Sequence, residues 1–303
     1  MNQIAAIGVN SKGFSRLLSV CFYVQMICSQ MEYGLAISAL NRGHFKKLEA
    51  CQNECIRRIF GGSLKSSTKV VLHLVQQPSM TDRSRILQTK YMIRSLDLPD
   101  DTLLQLLLPH IQTSASHSNW YKLTSNPLWK ECAPIIDDPG PRTFKSLKQK
   151  FLEDSFETLC TGTNSKLISA CRPEMIIDPI LFSPMTNIEG SQVLRWRLGW
   201  LPGGIPSPCI YHPFENFTRK HAIDCLHMHS RLQMPLSVDG PLSYLLNHLP
   251  PNKPRNPQEA FPWPVHWPEI CRIMHEMNHL FHEQVPPPTP QDPGASMVNW
   301  LLV

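Results

Sequence analysis

The sequence lacks the patterns that mark several large classes of enzyme and secreted protein. It has neither a glycine-rich phosphate-binding loop nor a G-x-S-x-G nucleophile elbow. No run alternates apolar and polar residues over the length of a strand, so we expect few strands. The ten cysteines are neither dense nor regularly spaced, unlike those of a secreted disulfide-bonded domain, and we expect them to be reduced.

Long hydrophobic runs are absent as well. The run LLSVCFYVQMIC follows Lys12 and Arg16 as the apolar part of a signal peptide would, but Ser19 and Gln25 interrupt it and it is too short to span a bilayer. We interpret it as a buried amphipathic helix. The chain is therefore expected to be intracellular, in the cytoplasm or the nucleus, and to have no membrane partner.

Charge is scarce and unevenly placed. Of the 303 residues, 17% are charged and 42% are hydrophobic, which is a globular composition. Lys and Arg number 29 against 24 acidic residues, and residues 1–75 alone hold nine basic residues against three Glu. This local excess permits a nucleic-acid partner without requiring one.

Helical spacing is the main pattern that is present. One predicted helix has an apolar stripe that ends at Gly61-Gly62 and consists of Leu48, Cys51, Cys55, Ile56 and Ile59. Four basic residues of this helix lie off the stripe and are candidate contacts to nucleic acid: Lys46, Lys47, Arg57 and Arg58. The chain as a whole is predicted to be mainly α.

Several helix starts are predicted from capping residues. Helices are expected after Ser79, at Asn126-Pro127 and at Pro241. Two aspartate pairs are explained locally rather than as metal ligands for nucleotidyl transfer. Asp100-Asp101 is predicted to cap a helix, and Asp137-Asp138 to lie in a turn.

Four metal-capable side chains lie within a short stretch between residues 194 and 226. They are Cys209, His212, His221 and Cys225. Zinc prefers four nitrogen or sulfur ligands in a tetrahedron. Thr218 is expected to cap a helix that places His221 and Cys225 on one face, opposite a loop pair of Cys209 and His212. The pattern predicts a structural zinc site with no ligand position left for water. The alternative is a buried cysteine among surface histidines.

Basic residues surround this stretch. Arg195, Arg197, Arg219 and Lys220 are predicted to contact phosphates, which would give affinity with little sequence information. The alternative is an ordinary solvated face. Trp196 and Trp200 could stack on bases if exposed, although aromatic residues at this spacing are more often part of the core.

A second motif supports a different class of function. His275, Glu276 and His279 fit H-E-x-x-H, the helical pattern of metal-dependent hydrolases. The longer pattern that would supply a third ligand fails, because no glycine or histidine follows at the required spacing. A zinc hydrolase is thus an alternative interpretation of the chain, and an exposed polar helix face is the other explanation of this motif.

Two stretches resemble LINE-type, non-LTR retrotransposon reverse transcriptases. Residues 1–38, with the turn Glu32-Tyr33-Gly34-Leu35, resemble the region just after the polymerase palm, and Leu48–Gly62 resembles the thumb helix. The family's C-terminal Arg-x-Arg-Leu-Gly-x-Leu-Pro run is matched by Arg195, Arg197, Leu198, Gly199, Leu201 and Pro202. Its zinc ligands are matched by Cys209, His221 and Cys225, whereas His212 stands where the family usually has a second Cys.

The resemblance implies a particular organisation. It comprises a thumb-like basic helical domain (1–76), a helical connector (77–185), a zinc-binding module (186–249) and a Pro-rich segment with a C-terminal helix (250–303). Within the last segment, residues 250–268 are expected to be extended and partly polyproline II.

The implied partners are the backbone of RNA or DNA and the rest of a reverse transcriptase, and the implied cofactor is structural zinc. The family's catalytic palm aspartates have no counterpart in this chain. We therefore expect it to have no polymerase activity of its own, and we assign it no catalytic residue. A relic reading frame without function is a further alternative.

Overall fold

The structure is a computed structural model that describes residues 1–64, 66–112, 118–135, 141–163, 165–204 and 207–302. Within these ranges the chain is mainly helical and forms no strand, and an isolated antiparallel bridge joins Pro208 to Asn216. The mainly α fold class is thereby confirmed. No helix in the described part of the chain is long and apolar enough to cross a membrane.

The α-helices are labelled in chain order. They are α1 (Asn2–Ala6), α2 (Arg16–Phe22), α3 (Ser29–Glu32), α4 (Arg42–Phe60), α5 (Thr68–Leu74), α6 (Met80–Leu96), α7 (Leu103–Gln112), α8 (Asn119–Thr124), α9 (Pro127–Cys132), α10 (Pro141–Thr161), α11 (Asn187–Arg197), α12 (Arg219–Cys225), α13 (Met228–Arg231), α14 (Pro241–Asn247), α15 (Pro257–Ala260), α16 (Trp263–Phe281) and α17 (Ala295–Leu302). A π-helix covers Tyr23–Cys28, and 3-10 turns cover Ala133–Ile135 and Pro179–Leu181.

The chain forms two compact units. Unit 1 comprises Met1–Thr68 and Gln76–Thr161, and unit 2 comprises Lys69–Val75 and Gly162–Val303. The metal-capable stretch belongs to unit 2. The division into four segments that the sequence suggests stays a prediction.

The signal-peptide-like run forms a helix in unit 1, after the short α1. α2, the π-helix and α3 follow one another without a break from Arg16 to Glu32. Tyr23 and Cys28 are buried in this helix. The predicted amphipathic helix is therefore confirmed, with a wider π-helical turn in its middle.

α4 packs against α2 and α6 through a narrower stripe than the sequence predicts. Cys55, Ile56 and Ile59 are buried, whereas Cys51 is exposed. Gly61 ends the helix as predicted, in the left-handed conformation with φ of 72°, which costs glycine little because it has no Cβ.

Helix caps are largely where capping residues predict them. The side chains of Ser79 and Asn126 accept hydrogen bonds from first-turn amides of α6 and α9. Before α7, the hydroxyl of Thr102 accepts a hydrogen bond from a first-turn amide, the role predicted for Asp100-Asp101. The turn predicted at Asp137-Asp138 lies outside the described residues.

The Pro-rich segment is more helical than predicted. α15 begins at Pro257 and α16 at Trp263, so much of residues 250–268 is not extended. A proline in the first turn of a helix costs no hydrogen bond, because the amides of that turn have no partner within the helix. Buried Trp267 then holds α16 in the core of unit 2.

The core of unit 2 is built on α11 and α16, which pack against each other. Trp196 of α11 is 0% exposed, and its Nε1 donates a hydrogen bond to the hydroxyl of Ser243 in α14 at 3.0 Å. Glu189 closes a capping box with Thr186 at the start of α11. Its other carboxylate oxygen accepts from the backbone N–H of Gly294, just before α17, at 2.7 Å.

A buried ion pair lies at the end of α11. Nη2 of Arg197 is 3.3 Å from Oδ2 of Asp178, and the side chains are 1% and 3% exposed. Nη1 of Arg197 also donates to the carbonyl of Ala170 at 3.2 Å. Removing one member of such a pair leaves an uncompensated charge in a poorly solvated site.

We therefore expect Arg197→Met to lower the free energy of unfolding by about 3 kcal/mol, because Asp178 would remain buried without the guanidinium that pairs with it. Urea unfolding measures this loss. The exposed Lys220→Met is the control, since its loss should stay below about 0.5 kcal/mol. An equal effect of the two substitutions would contradict a structural role for the pair.

Candidate metal centre

A hairpin-like loop holds the first two metal-capable side chains. The backbone N–H of Cys209 donates to the carbonyl of Glu215 at 2.8 Å, and the N–H of Glu215 donates to the carbonyl of His212 at 2.9 Å. The bridge between Pro208 and Asn216 closes the base of this loop. The backbone therefore brings Cys209 and His212 to one side without help from a sheet.

α12 holds the other two. Oγ1 of Thr218 accepts from the backbone N–H of His221 at 3.2 Å, which confirms Thr218 as the N-cap. His221 lies in the first turn and Cys225 is the last residue of the helix. Because they are four residues apart, their side chains lie on one face.

The loop and the helix bring the four side chains together. One ligand atom from each of Cys209, His212, His221 and Cys225 lies within 4.8 Å of all the others. Sγ of Cys209 is 3.7 Å from Sγ of Cys225 and 3.8 Å from Nδ1 of His212. Zinc–sulfur bonds of ~2.3 Å in a tetrahedron place two sulfurs ~3.8 Å apart. This group could hold a metal ion.

The two thiols are not a disulfide. Sulfur atoms in a disulfide lie ~2.05 Å apart, far closer than the 3.7 Å between Cys209 and Cys225. Burial, followed by the effects of Cys209, raises the pKa of the Cys225 thiol to about 12. Without a metal the thiol is therefore protonated at neutral pH, and a bound cation would displace that proton.

His221 is oriented by a carboxylate. Its Nδ1 lies 2.7 Å from Oε2 of Glu215. Because an ionised carboxylate only accepts hydrogen bonds, Nδ1 donates to Glu215, and in the neutral imidazole the lone pair is then on Nε2. That Nε2 is buried without a hydrogen-bond partner. A metal ion among the four side chains would satisfy it, and carboxylate–histidine–metal arrangements of this kind are common.

The basic residues near this centre occupy different environments. Lys220 is exposed and Arg195 is half-buried. The guanidinium of Arg219 stacks on the ring of Trp196, with its Cζ 3.8 Å from the ring centroid, and Nη2 donates to the hydroxyl of Ser243 at 2.6 Å. These contacts join α12 to α11 and α14, so Arg219 helps to position the metal-capable helix.

Arg197 is not among the accessible basic residues near the four metal-capable side chains. It is 2% exposed and paired with Asp178, as described above. The prediction that Arg197 contacts phosphate is therefore wrong, because its guanidinium is buried and already paired with Asp178. Trp196, also buried, belongs to the core.

The predicted basic residues of unit 1 are mostly accessible. Lys46, Lys47 and Arg58 are exposed, and Arg57 is half-buried. Arg58 pairs with Glu54 at 2.5 Å, and Nη2 of Arg57 donates to the carbonyl of Ser66 at 3.4 Å. Lys46 and Lys47 therefore offer the more open positive charge on α4.

The H-E-x-x-H motif lies on α16. The rings of His275 and His279 are 4.7 Å apart between centroids. The carboxylate of Glu276 accepts two hydrogen bonds from Arg231, at 2.7 and 2.8 Å. This bidentate pair occupies the carboxylate that a hydrolase would need as its general base.

The geometry of unit 2 thus defines a helical unit with a cysteine–histidine group that could hold a metal ion. Comparisons with protein-family models, curated proteins and solved structures found no match.

Glu215 is the residue of this centre that the sequence interpretation missed. The signal was weak, because Glu215 is a single acidic residue between two histidines. Its contact with His221 depends on how the loop folds back toward α12.

We expect Glu215→Ala to weaken metal binding by about 10–100-fold, because His221 would lose the carboxylate that orients its ring. Competition with a chromophoric chelator measures the affinity. Asp224→Ala is the control, since it removes the same charge from an exposed position of α12. Equal affinities for the two variants would refute an orienting role for Glu215.

Proposed function

We propose that this chain is the thumb to zinc-binding part of a LINE-type non-LTR retrotransposon reverse transcriptase. Its retained property is sequence-tolerant binding of RNA or DNA backbone, stabilised by a structural zinc ion. The observation that carries the proposal is the convergence of Cys209, His212, His221 and Cys225 around the unpartnered Nε2 of His221. The proposal assigns no catalytic residue to the chain.

The donor set favours zinc over other metals. Two thiols and two imidazoles suit a tetrahedral zinc ion, whereas magnesium and calcium prefer oxygen ligands. Four protein ligands leave no position for a reactive water, so the role is structural. The ion would join the loop of Cys209 and His212 to α12.

Basic residues that are exposed or half-buried supply the nucleic-acid contacts. Lys220 and Arg195 lie in unit 2, and Lys46, Lys47 and Arg58 lie in unit 1. Backbone contacts of this kind carry affinity but little sequence information. Arg197 is excluded, and Arg219 acts through its packing on Trp196.

Zinc binding separates this proposal from the hydrolase alternative. We expect the purified chain to bind a single zinc ion, and Cys209→Ser or Cys225→Ser to abolish that binding. His279→Ala should leave it intact, because His279 belongs to a different helix. Metal analysis after dialysis provides the measurement. Loss of zinc in His279→Ala with retention in both cysteine variants would favour the hydrolase.

Nucleic-acid binding should fall steeply with salt, because neutralised phosphates release counterions. We expect the slope of log affinity against log salt to decrease by about 0.9 for each duplex phosphate that a variant no longer neutralises. The variants Lys46→Gln/Lys47→Gln and Lys220→Gln test this by fluorescence anisotropy with a labelled duplex. Lys253→Gln is the control, because Lys253 is exposed and is not one of the basic residues predicted to contact nucleic acid. A flat salt response of the wild-type chain would contradict the proposal.

A further inference from the structure

Unit 1 contains a cavity that the proposed function does not use. Its volume is about 630 Å³, and it lies between the start of α4, the first half of α6 and the α8–α9 connection. Cavities of ~300–1,000 Å³ are typical of small-molecule sites. Its size is therefore sufficient for a ligand larger than a lone ion.

The charge lining this cavity has one sign. Arg42, Arg85 and Lys122 contribute to its wall, and no acidic residue does so among the described residues that line it. Arg85 also has a long contact with Asp82, 3.5 Å between Nη1 and Oδ1, but Asp82 is not part of the wall. Three cations from three separate helices therefore face one space, which favours an anionic ligand.

The backbone adds to this preference. Asn41 and Arg42, the N-cap and first residue of the 19-residue α4, both line the cavity. The first-turn N–H groups of a helix lack partners within the helix, and the helix dipole makes this end positive. In α4 the N–H of His44 already donates to Oδ1 of Asn41 at 2.9 Å, so the earlier amides of the turn and the dipole carry this preference. A phosphate is a common ligand at such a position.

The rest of the wall is aromatic and apolar. Phe45 lies one turn into α4, and Leu40 and Leu123 complete this side. The amides of Gln88 and Asn126 also line the cavity, but they bond to each other at 3.3 Å and to backbone carbonyls. The wall thus offers an aromatic ring and an apolar contact, while the amides of Gln88 and Asn126 are already committed to other groups.

We propose that this cavity binds a nucleotide, with its phosphate at Arg42, Arg85 and Lys122 and its base against Phe45. A nucleoside monophosphate carries close to two negative charges at neutral pH and a planar ring, which matches both parts of the wall. The ligand is either a free nucleotide or one unit of a single-stranded nucleic acid. The proposal does not depend on the metal centre, which belongs to unit 2.

Calorimetric titration of the full chain tests the site with three probes: thymidine 5′-monophosphate, thymidine and inorganic phosphate. We expect the monophosphate to bind at least about tenfold more tightly than either of the others, because only it uses both parts of the wall. Binding of the monophosphate no tighter than that of phosphate would overturn the proposal.

Two sets of variants separate the parts of the site. Arg42→Gln/Arg85→Gln/Lys122→Gln should weaken binding of the monophosphate by at least about tenfold. Phe45→Leu should weaken binding of the monophosphate and leave that of phosphate unchanged.

The matched control keeps the charge change but lies outside the cavity: Lys90→Gln/Arg94→Gln/Lys130→Gln, at exposed positions of α6 and α9. It should bind the monophosphate as the wild type does. Equal losses in the two triple variants would refute a specific site.

The source of the ligand and the independence of the site need two more measurements. Displacement of the monophosphate by a short oligothymidylate would support a unit of single-stranded nucleic acid, and binding without such displacement would support a free nucleotide. Cys209→Ser should bind the monophosphate normally, even if zinc binding fails. A loss of monophosphate binding in Cys209→Ser would contradict a site confined to unit 1.

Discussion

One buried nitrogen constrains the loop and helix around Cys209 and Cys225. Glu215 holds Nδ1 of His221, so the ring presents Nε2, with its lone pair, to a space that water does not reach. An unsatisfied buried acceptor costs roughly 1–3 kcal/mol. A single cation could satisfy the imidazole and both sulfurs together.

The sequence predicts this centre well where local chemistry is sufficient. A threonine cap and a four-residue spacing fix His221 and Cys225 on one helix face, and both features are visible in the sequence. The contact between Glu215 and His221 is not predictable in this way, because it requires the hairpin to fold back. α17 escapes prediction for a similar reason. Its buried Met297 and Leu301 form an apolar face, and α17 packs against α16, a tertiary contact that the local sequence does not reveal.

The run that resembles the retrotransposon family has a packing role in this fold. Arg197, Leu198 and Leu201 are all buried, so a pattern interpreted as a basic surface lies largely inside unit 2. Gly199 has φ of 70°, and a Cβ there would lie 2.8 Å from the side chain of Leu167. Arg195 and Arg197 have the same residue type and lie two positions apart. Arg197 nevertheless pairs with Asp178, which precedes the 3-10 turn Pro179–Leu181. Arginine can neutralise a buried acid, stack on a ring or contact a phosphate, and the tertiary environment decides which.

Glu189 links two helix starts that are 105 residues apart in the chain. One of its oxygens accepts from the backbone of Thr186 before α11, and the other accepts from Gly294 before α17. Fraying at either start would therefore remove a partner from the other. Through this contact α17 stabilises the start of α11, whose tryptophan stacks with Arg219 of the metal-capable helix α12.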